Sequence, residues 1–324
     1  MNSSLLSLEP DLSGDTRAIA IALTDQATGA VGARQRTLLE YTNASAGLNL
    51  WGQEYIHSLN NNGDSATAPG YKGRGFGFAM GADGGSPNNG RYGGAFTFFA
   101  GNVTENKPRD SKTDIEWYML SLYSDWRGRV LFFNTQANAG YGSFTGTRKI
   151  NVGTLKRTAN GDWSDYLVSG GFSTGFIFSA GSFVFMPEWN VDGMYVSENA
   201  YDETGAHGEN LSVDSRKQKS LRTFLGLVLR DNIDLGDGYL QPELRGGWSY
   251  DFLNDPEDLT ASFAGAPVAP KFTLTGPTPE ASRIVGGASL SWAYRSWSLG
   301  INYDLTSSAG ALAHSGTLTV TGRI

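Results

Sequence analysis

Two stretches of this chain bring together residue types that do covalent chemistry. Gly63-Asp64-Ser65 sets a serine behind a Gly-Asp pair, the opening of a serine-esterase motif, and His207 stands among Asp202, Glu203 and Glu209, a set with hydrolytic or metal-binding potential. A nucleophilic serine needs a strand to present it and an Asp-x-x-His pair further along to activate it. Ser65 lies in an Asn-rich stretch and no such pair follows. The chain has 3 histidines, and no two of them have metal-ligand spacing. His207 therefore reads as an exposed polar loop residue, and His57 and His314 as rim residues. No catalytic residue, metal or other cofactor is expected, and no enzymatic activity.

A second group of polar residues suits electrostatics rather than catalysis. Glu116, Glu188, Asp192, Arg222, Glu243 and Arg245 are set within otherwise alternating apolar segments. If they face inward in a closed sheet, they keep its interior wet, and they can pair with one another across strands or with Arg34 or Arg36 near the N-terminus. Plain hydration of a polar interior explains them equally well.

Arg34 and Arg36 belong to the one segment that reads as a helix. Thr16 to Tyr41 has no proline and is crowded with small residues, among them Ala18, Ala20, Ala22, Ala27, Gly29, Ala30, Gly32 and Ala33. Alanine favours helix, and Ser13 or Asp15 can cap its start. The result is thin, because few side chains extend beyond the backbone cylinder, and its apolar run is too short to cross a bilayer. It fits the inside of a barrel as a plug; a surface amphipathic helix is the other reading of the same residues.

Composition turns the rest of the chain toward strands. Its 324 residues include 43 Gly, 8 Trp, 14 Tyr and 17 Phe, with 18% charged residues and no Cys. Many glycines beside many aromatics suggest closely packed, aromatic-anchored strands. Mean hydropathy is −0.29, and no apolar run is long enough for a helical span; a transmembrane barrel shows neither signal, because lipid-facing and lumen-facing residues alternate. A net charge of −7 without a basic cluster argues against nucleic acid. Met1 to Pro10 has neither a basic start nor an apolar core, so any export leader is expected upstream of this sequence.

Alternation runs through segment after segment. Phe183, Phe185, Trp189, Val191 and Tyr195 oppose Glu188, Asn190 and Asp192; Leu221, Leu225, Leu227 and Leu229 oppose Arg222 and Arg230. Leu240, Leu244, Trp248 and Tyr250 oppose Gln241, Glu243 and Arg245, and Trp297, Leu299, Ile301 and Tyr303 oppose Ser298, Asn302 and Asp304. A soluble sandwich would show the same period. Loop lengths separate the two. Strands are expected near 46–56, 72–83, 91–103, 112–124, 128–152, 161–179, 182–200, 212–231, 237–253, 280–294, 296–306 and 312–324, an even number as single-chain bacterial barrels require. Connections at one end are tight, as in 125–127, 179–181 and 294–296; those at the other are long, as in Ser58 to Tyr71, Thr104 to Ser111, Tyr201 to Asn210 and Leu253 to Glu280. Short turns on the periplasmic rim and long loops outside mark an outer-membrane barrel, with Trp126, Tyr294 and Trp297 as interfacial aromatics.

The chain from Asp15 onward resembles the C-terminal translocator β-domain of autotransporters. The stretches that carry the resemblance are Leu50-Trp51-Gly52-Gln53, the run from Gly93 to Thr104, Gln136 to Gly142, Leu240 to Trp248 and His314-Ser315-Gly316. It implies an all-β fold, a 12-stranded antiparallel transmembrane β-barrel with an N-terminal α-helix in the lumen, in a Gram-negative outer membrane. It further implies an N-terminal passenger that the barrel anchors and exports, insertion by the barrel assembly machinery with periplasmic chaperones, and an assembly signal in the last strand at Leu318, Val320 and Ile324. The family usually ends on phenylalanine, where Ile324 stands here, and its Asn-Asn self-cleavage junction has no counterpart in this helix. The expected division is a flexible linker or passenger remnant over 1–15, pore helix and turn over 16–45, and barrel over 46–324. The alternative is an outer-membrane channel or porin with a helix plug.

Overall fold

The computed structural model describes residues 5–8, 25, 28–36, 47–65, 68–86, 90–106, 111–266, 270–276 and 278–323. Its main body is one closed antiparallel sheet of twelve long strands. In chain order these are β1 (Gly47–Ser65), β2 (Ala68–Ser86), β3 (Gly90–Glu105), β4 (Lys112–Arg127), β5 (Leu131–Val152), β6 (Leu155–Phe176), β7 (Phe183–Glu198), β8 (Arg216–Asp231), β9 (Gly238–Asp251), β10 (Ser282–Tyr294), β11 (Trp297–Ser308) and β12 (Ala311–Arg323). Each pairs with the next, and β1 pairs with β12 from Asn49↔Arg323 to Asn61↔Ala311, which leaves no open edge.

The side-chain pattern is that of a sheet with lipid outside. On β9, Glu243 is 6% exposed while its neighbour Leu244 is 61% exposed. A soluble sandwich would bury the leucine. The same inversion holds on β7, β8 and β11, where Trp189, Leu225, Leu229, Leu299 and Ile301 point out. In a bilayer the outward apolar face is the solvated one and the backbone polar groups are satisfied within the closed sheet.

The inner wall is not uniformly polar. Along the outer halves of β1 to β7, Tyr55, Phe99, Ile115, Trp117, Met119, Phe144, Leu167, Met194 and Val196 pack into a buried cluster inside the barrel. Glycines make room for inward rings here and elsewhere on the wall: a Cβ at Gly142 would lie 2.1 Å from the Trp117 indole, and one at Gly93 would lie 2.3 Å from the Tyr123 ring. This accounts for much of the pairing of high glycine with high aromatic content.

At one rim the connections are short, as in 128–130 and 295–296; the latter turns tightly because Arg295 takes φ 53 and stacks its guanidinium on Tyr294. Tyr92, Trp126, Phe176, Phe183, Tyr239 and Trp297 are exposed near this rim. The opposite rim differs from the sequence expectation. Residues 58–65 and 68–71 are not loop but the extended ends of β1 and β2, and 155–160 is the start of β6. The long connections after β7 and β9 combine into a second, four-stranded antiparallel sheet, ordered Phe272–Thr275, Asp258–Phe263, Leu211–Val213 and Tyr201–Asp202. Leu211, Val213, Leu259 and Ala261 form its core. Each loop supplies a short hairpin, and the two are joined by the pairing of Leu211–Val213 with Ala261–Phe263, a contact between loops that no local sequence signal marks.

Candidate functional site in the barrel lumen

Residues 28–36 form a helix inside the barrel, and residue 25 is also helical. The remainder of the expected Thr16 to Tyr41 helix lies outside the described residues. One helix face is held firmly. Ala30 and Val31 are buried against Trp51, Ala79, Ala95 and Tyr123 on β1 to β4. Arg34, 1% exposed, donates from Nε to Asp83 Oδ2 at 2.6 Å, from Nη2 to Asp83 Oδ1 at 3.0 Å, and from Nη1 to Thr321 Oγ1 at 3.2 Å. Asp83 also accepts from Asn49 Nδ2 at 2.8 Å and the Tyr123 hydroxyl at 3.0 Å. Such a bidentate, fully hydrogen-bonded pair compensates the desolvation of both charges. Gln35 Nε2 donates to the Ser124 and Thr135 carbonyls, and Gln53 Nε2 to the Ala30 carbonyl.

The other face carries small residues along its middle. A Cβ on Gly29 would meet nothing within 4 Å. Gly29, Gly32 and Ala33 border a cavity of about 560 Å³ whose far wall carries Glu188, Asp192, Arg222, Arg245, Asn302 and Asp304. Small residues thus keep the helix off half of the wall. At the helix's N-terminal end Asp25 bonds Arg222 at 2.5 Å, and Arg222 stands opposite Asp192 in the β7–β8 register.

The structure sorts the charged residues singled out from sequence. Asp192, Arg222, Glu243, Arg245 and Glu188 all face the lumen. Glu243 bonds Arg230 of β8 at 2.5 Å, and Arg245 bonds Asp304 of β11. Arg36 lies on the cavity side, within electrostatic reach of Glu188 and Glu243. Arg34 finds Asp83 rather than any of the expected carboxylates. Glu116 corrects the expectation: it points outward with Tyr118, whose hydroxyl lies 3.4 Å from it, because β4 turns Ile115, Trp117 and Met119 inward. Equating polar with lumen fails where the lumen is apolar. Asp83, Asp25 and Asp304 were not singled out; Asp304's place in an alternating strand was the available signal, whereas nothing local marks Asp83. Leu318 and Val320 face outward on β12, and Ile324 lies outside the described residues.

The loop residues also have a place. Glu203 bonds Arg148 and Glu209 bonds Arg157, both across to the outer ends of β5 and β6, while His207 is exposed. Among the described residues no group of acidic or histidine side chains is arranged to hold a metal. The chain's start is docked beside them: Leu5–Leu8 forms a short 3₁₀ turn, and the Ser7 and Leu8 carbonyls accept from Arg148 Nη1 at 3.1 and 3.2 Å. Residues 7–8 are therefore at the outer rim, residues 28–36 are in the lumen, and β1 begins at the short-turn rim. The described residues ahead of β1 thus lie at the outer rim and in the lumen.

A family model for the autotransporter β-domain matches residues 50–304. The chain belongs to the autotransporter β-domain family. The translocator domain of the autotransporter NalP from Neisseria meningitidis superposes with a TM-score of 0.74, covering 96% of this chain and 99% of that one at 15% identity. The β-domain of the Bordetella autotransporter BrkA gives 0.60, covering 86% and 100% at 15% identity. Outer membrane protein A of Rickettsia conorii is 24% identical over 224 residues, 67% of this chain. The chain spans 11% of the length of that relative. As an autotransporter β-domain the protein is an outer-membrane translocator of a Gram-negative envelope, and a plugged channel is not favoured. Translocator domains of this family are transport units rather than enzymes.

Proposed function

We propose that this autotransporter β-domain exports and anchors a passenger attached at its N-terminus, with residues 1–15 as the linker to that passenger, 16–45 as the pore segment and 46–324 as the barrel. The reading rests on one observation above all: a single chain is bound at the outer rim through Ser7 and Leu8 and inside the lumen through Arg34. Sequence upstream of residue 7 then begins on the cell surface. The domain does no chemistry of its own; its lumen charges hold and hydrate the pore segment. Insertion by the barrel assembly machinery, with periplasmic chaperones, uses the outward residues of β12, Leu318 and Val320, with Ile324 behind them.

The test is surface display. A signal peptide and an epitope-tagged reporter are placed upstream of Met1 and expressed in a Gram-negative host, and protease is added to intact cells. Loss of the tag, abolished by deleting residues 16–41, is the expected outcome. A folded outer-membrane barrel whose tag stays protected in the periplasm would overturn export.

A further inference from the structure

We propose that the outer ends of β5 and β6, capped by the β7–β8 connection, form a latch that grips the backbone of the chain as it leaves the lumen. This rests on the export reading above. Arg148 is the centre of it. Its Nε and Nη2 donate to the Glu203 carboxylate at 2.9 and 2.5 Å, and Nη2 also donates to the Glu209 carbonyl at 2.9 Å. That fixes the plane of the guanidinium and leaves Nη1 aimed at the Ser7 and Leu8 carbonyls. The cap is itself tied down, since Arg157 donates to the Ala206 carbonyl at 2.9 Å and bonds Glu209, and Glu203 Oε2 accepts from the Leu211 amide at 2.8 Å.

Two further contacts complete the seat. The Asn151 amide donates to Ser7 Oγ at 3.0 Å, and Leu8 packs on the buried patch of Ile150, Ala159 and Ala206. The charged contact is to main-chain oxygens, which every residue carries. A grip of that kind does not depend on which side chains pass, and its occupant is the exported chain itself. The inner contact is of the opposite kind: Asp83 recognises the guanidinium of Arg34 alone. A side-chain lock on Arg34 in the lumen and a backbone latch on residues 7–8 at the outer rim hold the exported chain at two points.

The chain has no cysteine, so an introduced pair reports cleanly. Ser7→Cys with Asn151→Cys is built into the full chain carrying the tagged reporter, and intact cells are oxidised mildly. The reporter is exposed at the surface and the pair links, while Ser7→Cys with Ser308→Cys, on the strand across the barrel, does not. Adding Arg148→Ala lowers linkage about fivefold, the loss of a charge-assisted hydrogen-bond pair, measured on the molecules that display the reporter on a heat-modifiable folded barrel. Should Arg148→Ala fail to assemble, Arg148→Lys, which keeps the charge without the fork, decides the matter by a loss of at least about twofold. A displayed reporter with no Ser7–Asn151 linkage, with equal linkage to Ser308→Cys, or with linkage indifferent to the Arg148 substitutions, overturns the latch and leaves export standing. A reporter retained in the periplasm overturns export and the latch with it.

Discussion

Arg34 and Glu243 show how two buried arginine–carboxylate pairs hold different things. Arg34 joins the helix to the wall through Asp83, whereas Glu243 joins two neighbouring strands, β8 and β9, through Arg230. Removing one partner of a buried, hydrogen-bonded pair costs roughly 3–5 kcal/mol. For Arg34→Ala that loss falls on helix docking, so single-channel conductance in planar bilayers should rise severalfold and become noisier as the helix moves. For Glu243→Ala the loss falls on the wall; the conductance change should be smaller and the urea midpoint of unfolding lower. Equal conductance from both variants would mean that Asp83 does not hold the helix. Sequence made both residues visible as candidates but could not assign their partners. Residues 34 and 83 lie on different elements, and only closure of the barrel brings them together.

The strands are governed by which solvent each face meets. On β9, Leu244→Lys puts an ammonium in the lipid, at a cost of about 2–4 kcal/mol near mid-bilayer. Ser289→Lys on β10 faces inward, directly beside Glu243 in the register, and should be tolerated. Refolding both into lipid vesicles over a urea titration checks the difference; similar penalties would mean that the two faces are assigned the wrong way round. The outer four-stranded sheet makes a separate prediction. Leu259, 2% exposed, lies at its centre, and Leu259→Asp buries a carboxylate there. Loops 199–215 and 252–281 should then be clipped by protease on intact cells while the barrel keeps its heat-modifiable mobility. Unaltered resistance to clipping would mean that the sheet does not depend on this core.

For the whole molecule, closure and plugging are separable. β1 joins β12 by thirteen register pairs that involve no helix residue, so a barrel lacking residues 16–41 should still fold, with a lower melting temperature because Trp51, Ala79 and Tyr123 lose their cover. Heat-modifiable mobility and conductance check this together: a folded band with a large open conductance is expected. Failure to fold would show instead that the helix is part of the assembly nucleus. The cavity of about 560 Å³ beside the small-residue face of the helix explains why plugging is not sealing by side chains alone.

Much of this architecture could be read from the residues in order. A period of two is a local property, and with lipid as the outer solvent the apolar set must face out; Trp189, Leu225, Leu244 and Ile301 were assignable on that basis alone. The tight turn at 294–296, the even strand number and the thin helix are local or countable in the same way, whereas the turn expected at 125–127 falls inside β4, which stays paired with β5 to Arg127. Glu116 was misassigned because its orientation follows from the size of Trp117 and Met119 and the space available inside, not from its own charge. The Arg34–Asp83 pair, the sheet built from two loops and the Arg148 seat for Ser7 and Leu8 were beyond reach. Each joins residues distant in sequence, and their meeting depends on how far each strand is staggered against the next as the sheet closes, a quantity that only the folded barrel fixes.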